Sequence, residues 1–325
     1  MNNKKYDVIA LGELLIDFTS SGKSGQGNEL FEANPGGAPC NVLAMLQKMG
    51  RKTAFIGKVG EDEFGFRLKE TINSVGIESS YVRMDPTVHT TLAFVHKLVN
   101  GDRDFSFYRN PGADICLTEH EVEECLLKEG KIFHFGTLSM THENVRKATE
   151  KAIEIAETYE ILRSFDPNLR EPLWENLEQA KIQMRYGLAH CDILKISDNE
   201  VQFVTEKEDL NAGMRQILLE YPNIKLACLT LGKEGSRVFY KEDIVEKPGF
   251  CLDSIETTGA GDTFCGSMLH YVLQYGIEGF DKKKLEEMLV FANAAAALVT
   301  TRKGALCSMP DREEVEKLIR RGTAG

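Results

Sequence analysis

The feature that most restricts the fold of this chain is its regular alternation of short apolar runs with segments of helical period. Residues 6–11 read as a strand and are followed by a Gly-rich irregular region up to Gly37. Residues 41–49 read as a helix stopped by Gly50, 53–59 as a strand, and 62–75 as an amphipathic helix stopped by Gly76. Further strands are expected at 131–135, 161–165, 193–196 and 226–231, with helical patterns between most of them. Strands separated by helix-length segments imply a parallel sheet covered on both faces. The expectation is therefore an α/β chain, a doubly wound α/β/α sandwich, with no repeat, low-complexity tract or linker across its 325 residues.

One stretch departs from the alternation. Residues 92–99 and 102–109 are strand-like and joined by Asn100-Gly101. Asn-Gly suits a two-residue hairpin turn, because both central positions need positive φ. No helix follows to cover this hairpin. Together with the Gly-rich segment near 19–35 it is expected to form a small β lid, built from about 13–37 and 88–110 and inserted in a single 1–325 domain. An ordinary edge hairpin remains the alternative.

Composition narrows the function classes. A formal net charge of -11 makes the chain a poor partner for nucleic acid or an anionic membrane. An anionic substrate would need a local site. No apolar run is long enough to span a bilayer and no signal peptide is visible, so a cytoplasmic protein is expected. The eight cysteines are scattered, with no Cys-x-x-Cys pair. Cys40, Cys191, Cys228 and Cys265 lie in apolar sequence and read as reduced, buried thiols.

The segment richest in chemistry is Glu256-Thr257-Thr258-Gly259-Ala260-Gly261-Asp262-Thr263-Phe264, which leads into an apolar helical stretch. A helix N-terminus carries unpaired N–H groups and a partial positive charge, and glycines let an anion approach them. Asp262, in the first turn, would stand beside that anion. A carboxylate there can take a proton from a hydroxyl while N–H groups hold a phosphoryl oxygen, the pairing that phosphoryl transfer to an alcohol requires. A tight turn with a favourable first-turn acid accounts for the same residues. Two other motifs fail: Gly22-Lys23-Ser24 has Asp17 where a Walker A loop needs glycine, and Gly259-x-Gly261 has Phe264 at the last glycine of a dinucleotide fingerprint. No His/Cys spacing suggests a zinc site.

Across nearly its whole length the sequence resembles the ribokinase-like (PfkB) carbohydrate kinases. The segment 257–264 looks like the family's C-terminal signature. Gly36-Gly37-Ala38-Pro39-Cys40-Asn41-Val42-Leu43-Ala44 looks like its N-terminal one, and Gly57-Lys58-Val59-Gly60-x-Asp62-x-Phe64-Gly65 like a third segment. The resemblance implies that Asp262 is the catalytic base and that Gly259, Ala260 and Gly261 form the anion hole. It implies that Asp17, in Gly12-Glu13-Leu14-Leu15-Ile16-Asp17, accepts hydrogen bonds from sugar hydroxyls, in a pocket completed by Gly36, Gly37 and Asn41.

Phe105-Ser106-Phe107-Tyr108-Arg109 and Asp166-Pro167-Asn168-x-Arg170 resemble the fructokinase branch. By that resemblance Phe107, Arg109 and Asn168 bind substrate, Arg109 favours fructose over ribose, and Arg170 helps neutralise phosphate. On the nucleotide side it implicates Lys195, Thr230, Gly232, Gly235 and Asn293. Glu200 would act on Mg2+ through waters, with Ser197 in place of the family's usual asparagine. Glu256 and Thr258 would border a monovalent-cation site; Glu256 stands where the family most often has Asp. The implied reaction is D-fructose plus MgATP giving fructose 6-phosphate and ADP, with K+ as an activator and a homodimer joined through the lid. Another sugar, 2-keto-3-deoxygluconate or ribose, and a catalytically silent regulatory relative are the rivals.

Overall fold

The computed structural model describes residues 4–97 and 103–322. The strands are β1 (Tyr6–Leu11), β2 (Leu15–Lys23), β3 (Glu29–Gly36), β4 (Thr53–Gly60), β5 (Val82–Asp85), β6 (Leu92–Lys97), β7 (Arg103–Tyr108), β8 (Gly130–Phe135), β9 (Leu162–Phe165), β10 (Ile193–Ser197), β11 (Leu226–Thr230), β12 (Ser236–Tyr240) and β13 (Asp243–Lys247). The helices are α1 (Ala38–Lys48), α2 (Glu63–Ser74), α3 (Glu124–Leu127), α4 (Glu143–Thr158), α5 (Leu177–Ala189), α6 (Asp198–Thr205), α7 (Leu210–Glu220), α8 (Ala260–Tyr275), α9 (Lys282–Val299) and α10 (Arg312–Gly322).

Nine strands make the main sheet, in the order β13-β12-β11-β10-β9-β8-β1-β4-β5. Successive side chains of a strand point to opposite faces, and here both faces are apolar. Val8 and Ala10 of β1 join one core, with α1, α8 and α9; Ile9 and Leu11 join the other, with α4, α5 and α7. That double burial is why the strands read as continuous apolar runs. The sheet is nevertheless not wholly parallel. β12 runs antiparallel to β11, and β13 antiparallel to β12. Both follow a turn at Gly232–Glu234, so an antiparallel hairpin closes this edge of a sheet expected to be parallel.

Chain direction across the sheet reverses between β1 and β8. From β1 the chain proceeds to β4 and β5 on one side, and later strands stack outward from β8 on the other. A crevice opens at the carboxyl ends of the strands at such a switch point. Four more strands form a separate sheet in the order β3-β2-β6-β7. The expected irregular region up to Gly37 is thus mostly two paired strands, β2 and β3. β6 and β7 pair antiparallel as the hairpin reading requires; its Asn100-Gly101 turn lies outside the described residues.

Candidate active site

A cavity of about 830 Å³ occupies the switch-point crevice, between the carboxyl ends of the core strands and the four-stranded sheet. It is lined from the lid side by Leu15, Asp17 and Phe107 and from the core side by Asn41, Asn168, Arg170, Lys195, Glu200, Gly259, Gly261 and Asp262. With Leu138, residues from seven separate stretches of sequence meet in one space.

The floor is the start of α8. Gly259 caps it with φ +80, a left-handed conformation that glycine adopts at little cost. A Cβ there would fall 2.5 Å from Ala305 Cβ. Ala260 N–H already donates to Thr257 O at 3.3 Å. Thr263 N–H donates to Gly259 O at 2.8 Å, and the N–H groups between them belong to the first turn, where no helical acceptor precedes them. Asp262 is 8 % exposed. Its Oδ2 accepts from Asn41 Nδ2 at 2.8 Å. Burial holds its pKa above the ordinary carboxylate value, against the opposing pull of Asn41, Lys195 and Arg170. Asn41 Oδ1 is buried and has no partner among the described residues, so it is left to accept from a ligand.

Asp17 sits on β2, between Asn34 of β3 and Ala93 of β6 in register. Gly36 leaves room for its carboxylate: a Cβ at Gly36 would lie 2.4 Å from Asp17 Oδ2. Gly37, at φ +129, presses so closely on Glu13 that a Cβ would meet Glu13 O at 2.3 Å. The turn into α1 therefore needs both glycines.

The nucleotide-side expectations divide. Lys195 Nζ pairs with Asp166 Oδ1 at 3.0 Å and lines the cavity. Glu200 caps α6: its Oε2 accepts from Ser197 N–H at 2.8 Å and its Oε1 from Leu169 N–H at 2.9 Å. Thr230 ends β11 opposite Ser197, which lines the cavity; Thr230 itself, and Gly232 and Gly235 in the turn that follows, are not among the lining residues. Gly235, at φ +114, packs against Lys247 O and Pro248. Asn293 is not brought to the cavity. It accepts from Ser236 Oγ at 2.8 Å and donates to Lys247 O and Pro248 O, tying α9 to the β12–β13 hairpin. Glu256 Oε1 accepts from Thr258 Oγ1 at 2.7 Å and its Oε2 from Gly304 N–H at 3.2 Å, on the loop leading to Gly259.

Arg109 departs most from expectation. β7 ends at Tyr108, so the strand alternation that would carry Arg109 alongside Phe107 stops one residue short. Its guanidinium is 3 % exposed. It donates to Asp114 Oδ2 at 2.8 Å, Thr141 Oγ1 at 3.1 Å and Leu138 O at 2.9 Å. The side chain ties the end of the lid to the core and is not among the residues lining the cavity. The side chain of Phe105 lies outside the described residues.

Sequence reasoning missed two buried acids. Glu13 lines the cavity and caps α1, accepting from Ala38 N–H at 2.8 Å; burial pushes its pKa up to about 7. Asp166 lies just behind the cavity wall. The signal for Asp166 was a carboxylate directly after the four-residue strand β9, in the run Asp166-Pro167-Asn168-x-Arg170.

The family model for pfkB family carbohydrate kinases matches residues 5–312. Fructokinase-2 of Solanum lycopersicum is 39% identical over 319 residues, which cover 97% of this chain and 96% of that protein. A double-mutant fructokinase from Vibrio cholerae O395, solved with fructose, ADP and potassium ion bound, superposes with a TM-score of 0.87 at 27% identity, covering 98% of this chain and 100% of that one. A putative Ribokinase II from E. coli, solved with ATP and Mg2+, gives 0.86 at 26%, covering 97% and 99%. Motifs, sheet order, cavity and family match agree, and the chain belongs to the pfkB family of carbohydrate kinases.

Proposed function

We propose that this carbohydrate kinase transfers the γ-phosphoryl group of ATP to the C6 hydroxyl of D-fructose. The observation that carries the reading is a single cavity with Asp17 on its lid side and Asp262 in the first turn of α8 on its floor. Asp17 and Asn41 accept hydrogen bonds from the sugar's hydroxyls, and Phe107 covers it from the lid. Asp262 removes the proton of the attacking hydroxyl. Its raised pKa makes it a better base than a solvated aspartate. As the oxygen attacks phosphorus in line and ADP leaves, negative charge on the transferring group is met by the N–H groups of the Gly259–Gly261 turn and by Lys195 and Arg170.

Among the described residues no group of three or more His, Cys, Asp or Glu side chains is arranged to hold a metal ion. Mg2+ commonly keeps several waters and is held by one or two carboxylates plus substrate phosphates, and Glu200, on the nucleotide side of the cavity, suits that mode. Mg2+ bound with ATP offsets charge on the phosphates. Glu256 and Thr258 put oxygen donors on the loop before the anion hole, which suits a K+ ion there.

An aromatic stripe crosses the lid. Phe18 stacks on Phe94 at 4.9 Å between centroids, and Phe31 and Tyr108 pack edge-on to Phe94 at 5.5 and 5.4 Å. Tyr108 is 66% exposed. A second copy of the chain would cover this stripe, so we assign a homodimer through the lid. We place the protein in the cytoplasm; all eight cysteines are free, and Cys40, Cys191, Cys228 and Cys265 are buried.

A sugar panel tests the reading. ADP release with MgATP is expected to be fastest, by kcat/KM, with D-fructose over ribose and 2-keto-3-deoxygluconate. Preference for either of the others rejects the fructose reading, and ADP release with none of them rejects the sugar-kinase assignment of this site.

A further inference from the structure

Behind the cavity wall, the carboxyl ends of β9 and β10 set a buried ion pair beside the first turn of α8. Lys195 Nζ lies 3.0 Å from Asp166 Oδ1, with side-chain exposures of 7% and 4%. The ammonium also touches the anion hole, since a Cβ at Gly261 would lie 3.0 Å from Lys195 Nζ. Glycine at 261 therefore lets the cation lie against the turn where the transferring phosphoryl group binds. Asp166 itself borders the small space behind the wall, with His134, Gly136 and Thr137, while Lys195 lines the cavity. The lysine faces the ligand and the aspartate faces the lysine.

We propose that Lys195 contacts the transferring phosphoryl group, as a catalytic residue, and that Asp166 is a positioning residue that acts only through Lys195. This rests on reading the cavity as a phosphoryl-transfer site. Lysine is a long, flexible side chain with a compact point charge, and a free ammonium in this cavity would have other carboxylates to choose from. Asp262 and Glu200 line the same space. If Lys195 paired with Asp262, it would lower the basicity of the catalytic carboxylate and withdraw its own charge from the phosphoryl group. Asp166 holds the ammonium on the strand side of the turn. Burial works against the Lys195 charge, but Asp166 and Glu200 outweigh it, and the lysine stays protonated. Neighbouring His134 stays neutral: burial and the Lys195 charge press its pKa down to about 3, so it brings no competing cation.

A double-mutant cycle tests this on kcat with D-fructose and MgATP. Lys195→Met should lower kcat by about 10²–10³-fold, the worth of one preorganised donor to a developing charge, with fructose KM unchanged. Asp166→Asn should lower kcat by about 10–10²-fold through misplacement of that donor. In the Lys195→Met background, Asp166→Asn should change kcat by less than about twofold, because the residue it acts through is gone. This double variant removes both charges together, which buried pairs tolerate better than the loss of one. If Asp166→Asn alone fails to fold, Asp166→Glu keeps the pair and shifts the ammonium, and should cost about tenfold in kcat. A further loss of fivefold or more in the Lys195→Met background overturns the proposal, because Asp166 then acts on its own. So does an Asp166 variant that loses thermal stability but keeps its kcat. If the wild type does not turn over fructose, the function reading fails; the same cycle read as MgATP affinity by calorimetry then decides the Lys195–Asp166 coupling separately.

Discussion

The floor of the cavity and its lid are built on different terms. On the floor, Asp262, Lys195 and Asp166 are all buried, and each sits at the end of a strand or helix packed into the core. The lid is a four-stranded sheet with Leu30, Phe31 and Tyr108 exposed. A buried anchor, the Arg109–Asp114 pair, ties it to the carbonyl of Leu138. Desolvation strengthens every charge interaction on the floor, which suits phosphoryl chemistry. A sugar instead needs polar contacts placed around it, and the sheet facing the floor brings the Asp17 carboxylate to the cavity. The floor is therefore assigned to reaction and the lid to sugar selection, a division that substitutions can break.

The largest effect is expected on the floor. Asp262→Asn should reduce kcat by about 10²–10⁴-fold, the usual worth of a general base, with MgATP affinity and thermal unfolding nearly unchanged. Loss below tenfold in a folded variant would remove Asp262 from the base role. In the wild type, activity should fall as pH drops and Asp262 takes up a proton. That acid limb should lie above the ordinary aspartate value of about 3.9, because burial raises the Asp262 pKa.

Arg109→Met comes next, and it tests the anchor. Leaving Asp114 buried and unpaired should cost about 3–5 kcal/mol of stability, read as a lower midpoint of thermal or urea unfolding. The ratio of kcat/KM for fructose to that for ribose should stay where it is. A changed ratio at unchanged stability would return Arg109 to the sugar pocket. Asp17→Ala should raise the KM for fructose by about 10–10²-fold, the worth of hydrogen bonds to a charged acceptor, and leave the KM for ATP within about twofold. Equal losses for both substrates would erase the distinction between lid and floor. The smallest catalytic effect is expected from Tyr108→Glu, which places a charge in the exposed aromatic stripe. Sedimentation should show dissociation to monomers while kcat stays within about twofold, and an unchanged association state would reject the dimer surface.

How much of this was legible in the sequence follows the same division. Strands β1, β4, β8, β10 and β11 were readable because both faces are buried, so each is a largely apolar run; β5, Val82-Arg83-Met84-Asp85, has no such run and was not read. The antiparallel β12–β13 hairpin was not, because Ser236–Tyr240 and Asp243–Lys247 are short, partly polar and joined by Lys241-Glu242 with no Asn-Gly signal. Asp262 and Asp17 were found through motifs. Glu13 and Asp166 escaped notice because each works on a neighbour distant in sequence: Glu13 on Ala38, and Asp166 on Lys195. Arg109 was misplaced by extending strand alternation one residue past the end of β7. Asn293 was implicated by the resemblance alone, and only the fold reveals that its amide bonds Ser236, Lys247 and Pro248.

The central claim is that the floor delivers phosphoryl to a hydroxyl of fructose that the lid has selected, and identifying the product tests it most directly. Wild-type protein incubated with D-fructose and MgATP should yield a phosphate ester whose phosphorus couples, in proton-correlated 31P NMR, to the two protons on C6. Coupling to the C1 protons, or a signal from inorganic phosphate alone, would contradict it.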